Sequence, residues 1–182
     1  MACCSKMICN GCDYASVLRK IDDKCPFCRH PTPKTQEEAM TVFMKRVEAN
    51  DPVALCDFGN RRRSEGDHVG AHECWTKAVE LSDVVAHYEL SNFYQKGECV
   101  EKDMKKAIYH AEQAAIGGNP EARYNLGYEE SGNHRYERAV KHWVIAATLG
   151  CDNSLEILRK GHTLGLVQKE DFAAALRAHK AA

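Results

Sequence analysis

The sequence predicts an all-α protein: a helical-repeat solenoid carrying a small zinc-binding module at its amino terminus. Three observations carry that prediction. Six of the ten cysteines crowd into residues 3–28, apolar residues recur at helical spacing from Met40 onward, and three segments of the chain align with one another position by position. The 182 residues accordingly divide into a zinc module at 1–30, a linker and connecting helix at 31–50, and repeats at 51–182. The repeats fall at about 51–82, 83–118 and 119–152, with a degenerate unit at 153–182.

Cys3 and Cys4 are adjacent, whereas Cys9 with Cys12 and Cys25 with Cys28 form C-x2-C pairs. Such a turn presents two thiolates to one tetrahedral ion, so two of them complete a four-sulfur zinc site. A disulfide framework is the competing reading of clustered cysteines. The segment Met1 to Cys28 has no apolar signal stretch, which favours a reducing, intracellular setting, cytoplasmic or nuclear, and zinc as the cofactor. A segment of roughly thirty residues cannot bury a self-sufficient core. Its order is then expected to come from metal, and structural zinc supplies about 10–16 kcal/mol in small peptides. Tyr14, Val17, Leu18 and Ile21 have helical spacing and predict a short helix between the second and third cysteine groups. Cys56, Cys74, Cys99 and Cys151 lack chelating spacing and are expected to be small buried hydrophobes.

Cys4-Ser-Lys-Met-Ile-Cys9-Asn-Gly-Cys12 followed by Cys25-Pro-Phe-Cys28-Arg29 resembles the back two-thirds of a RING finger, over residues 3 to 29. The resemblance implies interleaved ligands, with Cys25 and Cys28 sharing an ion with Cys3 and Cys4, and Cys9 and Cys12 sharing another with an upstream pair. No C-x2-C precedes Cys3 in this sequence, and Lys6 stands where many RING fingers place a histidine ligand. The residues themselves also allow one ion held by Cys9, Cys12, Cys25 and Cys28, with Cys3 and Cys4 outside it, or a truncated finger. The resemblance further implies that Pro26 and Arg29 contact a ubiquitin-conjugating enzyme, which makes a RING-type ubiquitin ligase one functional expectation.

Arg29-His-Pro-Thr-Pro-Lys34 reads as a short stiff connector. Thr35-Gln-Glu-Glu38 has capping-box form, and Met40, Phe43, Met44 and Val47 then predict one amphipathic helix face ending near Asn50. In the aligned segments, Asp51, Asp83 and Asn119 are expected helix caps, each three residues before Ala54, Ala86 or Ala122. Phe58, Leu90 and Leu126 form the next column. A second helix in each unit brings Ala71, Ala107 and Ala139 into equivalence, then Trp75, Ala111 and Trp143, then Ala78, Ala114 and Ala146. The alanines permit close helix approach, and the larger columns fill the space between helices.

The middle unit's loop, Lys96-Gly-Glu-Cys-Val-Glu-Lys-Asp103, followed by Lys106-Ala107 and Ala114-Ala115-x-Gly117, resembles a Sel-1-like repeat, a relative of the tetratricopeptide repeat. Asn125-Leu126-Gly127-Tyr128 and Ala146-Ala147-x-x-Gly150 carry the same cues. The resemblance implies a surface for a partner protein, and hence a protein-interaction adaptor. In the ligase alternative the same surface holds the substrate. A net charge of −1 and a pI near 6.7 lack the electrostatic footprint of a dedicated nucleic-acid binder, and no apolar run is long enough to span a membrane. His110 and His142 share a repeat column but are too far apart on stacked helices to share a metal. His68 and His72 read as a solvated pair beside a turn at Gly66-Asp67, and Arg61-Arg-Arg63 as a favourable cation cluster at a helix carboxyl end.

Overall fold

A computed structural model describes residues 24–25, 30–97 and 100–180. Among the described residues, the regular structure is helical apart from one antiparallel bridge between Lys24 and Pro31. The chain divides into two compact units, Met1–Ser82 and Asp83–Ala182. The first holds α1 (Gln36–Glu48), α2 (Pro52–Ser64) and α3 (His68–Glu80). The second holds α4 (Val84–Lys96), α5 (Met104–Ile116), α6 (Pro120–Gly132), α7 (Tyr136–Thr148), α8 (Asp152–Thr163) and α9 (Lys169–His179). The helices pack as pairs, α2 with α3, α4 with α5, and α6 with α7, followed by α8 and α9, both of which also pack against α7. This is an all-α helical-repeat fold of the solenoid class.

Local chemistry explains where the helices begin. Asp51, Asp83 and Asn119 each accept a hydrogen bond through Oδ1 from the backbone three residues on, at Ala54 (3.1 Å), Ala86 (2.7 Å) and Ala122 (2.8 Å). Each cap satisfies an amide that the helix itself leaves without a partner. Asp67 and Asp103 cap α3 and α5 in the same manner. The turns between pairs share a backbone device: Asn50, Ser82, Gly118 and Gly150 all take left-handed φ, at 55°, 64°, 89° and 92°. A left-handed residue ends the preceding helix and aims the next cap.

The alanine columns are the core. Ala54, Ala86 and Ala122 are fully buried, as are Ala78, Ala114 and Ala146. Without side chains beyond Cβ, the helices approach closely enough for the larger residues to interlock. Trp75, Leu90, Phe93 and Leu158 are the bulkiest fully enclosed apolar groups. The final pair continues the columns: Ser154 follows Ala122, Leu158 follows Leu126, and Ala175 follows Ala139, all three fully buried. His179 occupies the position equivalent to Trp143 and reaches Ala147 O (3.0 Å) and Asp152 Oδ1 (2.9 Å).

Three local expectations are corrected. The capping box at Thr35 is shifted: Thr35 Oγ1 accepts from Glu38 N (3.1 Å), but the Glu38 carboxylate accepts from Lys34 N (2.8 Å). The apolar face of α1 is shallower than its periodicity suggests, because α1 contains no buried residue and Met40 is 40% exposed. Its anchor is Phe43, edge-on to Phe58 with ring centroids 6.3 Å apart. Finally, α3 begins directly at His68, so His68 and His72 lie on one helix and are half-buried instead of solvated beside a turn.

Candidate interaction surface

Of the predicted metal ligands, Cys25 lies among the described residues. Its side chain is buried, its N–H donates to His30 O at 2.7 Å, and Lys24 and Pro31 form the antiparallel bridge next to it. Cys3, Cys4, Cys9, Cys12 and Cys28, and the predicted enzyme-contact residues Pro26 and Arg29, lie outside the described residues. Among the described residues, no group of three or more His, Cys, Asp or Glu is arranged to hold a metal. Cys56, Cys74 and Cys151 are buried between helices, while Cys99 lies outside the described residues. Burial pushes the Cys74 thiol up, against the opposing pull of the Arg62 guanidinium hydrogen-bonded to it.

The basic run on α2 is absorbed into aromatic packing. Arg61, Arg62 and Arg63 sit in its last turn, and each guanidinium lies over a different ring: Phe43 at 5.3 Å, Phe58 at 5.3 Å and Trp75 at 5.5 Å. All three distances fall within cation–π range. Sequence reasoning found the favourable position at the helix end and missed the rings, which come from three helices. A cleft of about 580 Å³ beside Arg61 is lined by Met40, Phe43, Arg46, Asp57 and Glu65, a mostly polar set.

His110 and His142 do not share a site. His110 Nδ1 lies 3.0 Å from His87 Nδ1 and its ring stacks on Tyr94. Burial pushes both His87 and His142 below the ordinary histidine value, with Arg123 adding to the effect at His142.

An apolar cleft of about 560 Å³ in the second unit is lined by Tyr136, Val140, Trp143, Ile157, Leu166 and Val167, with Ser131, Lys160 and Gly161 completing it. Helix α7 supplies its floor, α8 one wall, and the turn before α9 the rim. Leu166, one of the apolar residues of the degenerate last unit, is 74% exposed. The turn lifts it out of the helix pair, which no period of 3.6 residues could reveal. Tyr109, Ile116, Tyr128, Tyr136 and Leu164 also stand exposed on this unit.

Residues 84–119 and 120–151 each match the Sel1 repeat family. Those two units are similar to Sel1 repeats. A Sel1 repeat protein from Oxalobacter formigenes is similar in structure, with 27% identity and a TM-score of 0.63, over 78% of this chain and 64% of its own. The c5321 protein, a protective antigen present in uropathogenic Escherichia coli strains that displays an SLR fold, aligns with a TM-score of 0.65 at 22% identity. That match covers 81% of this chain and 34% of the antigen, and it speaks to fold alone. The Helicobacter pylori cysteine rich protein B shares the fold at 23% identity with a TM-score of 0.52, over 66% of this chain and 92% of its own. The chain thus spans less than two thirds of the first two structures' length. No curated protein matches it. No helix among the described residues is long and apolar enough to cross a membrane.

Proposed function

We propose that this chain is a zinc-binding adaptor whose Sel1-repeat surface holds a partner protein. The observation that carries the reading is a rigid frame of interlocked alanine and tryptophan columns that presents large apolar side chains to solvent. Tyr109, Ile116, Tyr136, Leu164 and Leu166 stand exposed on helices and turns whose opposite faces are buried. Apolar groups held out on an ordered scaffold favour protein contacts. The amino-terminal module would take zinc through Cys9, Cys12, Cys25 and Cys28, with Cys3 and Cys4 as further ligands in an interleaved finger. The buried Cys25 thiol, held by the backbone bond to His30, supports that role for the first cysteine of a C-x2-C pair. Bound zinc would supply folding energy to the module.

The same cysteine segment supports a second reading, a RING-type ubiquitin ligase. Pro26 and Arg29 lie between Cys25 and His30, where a RING finger meets its conjugating enzyme, and the repeats would then hold the substrate. In that mechanism the zinc module positions a charged enzyme and performs no covalent step. The two readings separate in one assay of the full chain with ubiquitin, activating enzyme and a panel of conjugating enzymes. The adaptor reading expects no ubiquitin chains. Zinc-dependent chain formation that Cys25→Ser abolishes would put the ligase first.

A further inference from the structure

Two histidines meet across the seam between α4 and α5. His87 Nδ1 lies 3.0 Å from His110 Nδ1, and the ring centroids are 5.2 Å apart. That separation is close to the largest the nitrogen contact allows, so the two nitrogens point at each other along one line. A metal ion would need their lone pairs to converge on it at an angle. Head-on nitrogens share a proton instead: one Nδ1 donates and the other accepts. Both rings are half-buried and set by their neighbours. Tyr94 stacks on His110, and Tyr109 is edge-on to both histidines.

The contact accepts one added proton and excludes a second. With one, an imidazolium Nδ1–H donates to a neutral ring, and the bond becomes charge-assisted. With two, both nitrogens carry hydrogen and two like charges face each other across the same short gap. The surrounding charges leave this conflict in place. On α4, Asp83 acts on His87, but its carboxylate is engaged by the Ala86 N–H. On α5, Lys106 pairs with Asp103 at 3.8 Å and lies 5.1 Å from the centre of the Tyr94 ring, while Glu112 acts on His142. On α6, Arg123 also acts on His142, and Glu129 is engaged by Gln95 at 3.4 Å. Burial pushes His87 below the ordinary histidine value, with Asp83 opposing the effect. The seam itself does not need histidine to close: Leu55 and Cys74 hold the equivalent positions in the first unit, and Arg123 and His142 hold them one repeat further on.

We infer that the His87–His110 pair is a proton-operated latch, closed while it holds at most one added proton and opened by a second, which parts α4 from α5. Unfolded, each histidine takes up its own proton near pH 6.5. The open seam therefore binds one proton more than the closed one, and its stability is lost as pH falls below about 6.5. Tyr109 is 54% exposed and rests on both rings, so opening also resets one side chain of the proposed partner surface. That consequence rests on the adaptor reading; the latch does not.

The test is hydrogen exchange read by mass spectrometry on the full chain, unmodified and with His87→Gln or His110→Gln, at pH 7.5 and pH 5. Glutamine leaves one imidazole and offers it an amide oxygen, so no second charge can form. Once the chemical effect of pH on exchange is divided out, the amides of α4 and α5 should lose about tenfold in protection on acidification of the unmodified chain. Each variant should lose less than about threefold. Nitrogen NMR of the unmodified chain with labelled histidine should show one ring of the pair protonated at Nδ1 and the other at Nε2 at pH 7.5. Equal loss of protection in the unmodified chain and both variants, or two rings protonated at Nε2, would overturn the latch. If the variants do not fold, the NMR result decides alone. Retention of a partner at the two pH values separates the readings. Release in acid that His87→Gln prevents supports both, whereas a working latch with no partner retained at either pH supports the latch and rejects the adaptor.

Discussion

The indole of Trp143 lies so close to the backbone of Gly127 that a Cβ at that glycine would fall 2.3 Å from Nε1. Trp75 and Gly59 repeat the relationship at 2.6 Å. Alanine is ordinarily the better helix former, but here its methyl must displace a buried ring. Gly127→Ala should therefore destabilise the protein by about 1–3 kcal/mol. Gly132, at the end of the same helix, has nothing within 4 Å of its Cβ position. Gly132→Ala should stabilise by about 0.5 kcal/mol. Urea titrations of the two variants must move in opposite directions, and a neutral Gly127→Ala would show that the indole is not fixed there.

Removal of the ring tests the same lock from the other side. Trp75 is fully enclosed and Trp143 nearly so, and either substitution by alanine should cost about 3–5 kcal/mol. Once Trp143 is gone, the added methyl of Gly127→Ala has space. The double variant should thus lose less stability than the sum of the single losses, by about 1 kcal/mol or more in a double-mutant cycle. Strict additivity would place the ring elsewhere.

Much of this packing was legible in the sequence because it is periodic. The caps at Asp51, Asp83 and Asn119 and the alanine columns follow from spacing alone. The glycine seat did not, since spacing ranks positions by burial and says nothing of which small residue faces which large one. A signal was present all the same. Gly59 and Gly127 recur with Trp75 and Trp143, while the middle unit replaces both partners together, with Ser91 opposite Ala111. The groove at Leu166 was harder, because a turn aims that side chain outward. Arg61, Arg62 and Arg63 were placed correctly at a helix end, but their ring partners come from α1, α2 and α3 and become neighbours only on folding.

Acidification should weaken the second unit through His142. Its Nδ1 is buried without a hydrogen-bond partner, and burial together with Arg123 holds its pKa below 6.5. The unfolded chain therefore takes up this proton first as pH falls. The stability contribution is full above about 6.5, and it is lost between there and the lower folded value. His142→Gln should flatten the decline in melting temperature between pH 7 and 5, in part only, because His87 is displaced in the same direction. An unchanged slope would show that His142 does not titrate with folding.

Metal content tests the amino-terminal module. Elemental analysis of reduced, chelator-washed protein should find one tightly held zinc, and Cys25→Ser should release it without lowering the main helical melting transition, since repeat stability resides in neighbouring helix pairs. Protein that holds no zinc would remove the module from the account. Two tightly held ions would require further ligands and would favour the interleaved arrangement.

The central claim is that the repeats, and not the zinc module, hold the partner. Crosslinking mass spectrometry of the full chain with a retained partner tests it most directly. The account predicts that crosslinks to the partner fall within residues 51–182, on the exposed helices and turns of the second unit, and persist when Cys25→Ser releases zinc. Crosslinks confined to residues 1–30, or lost with the metal, would contradict it.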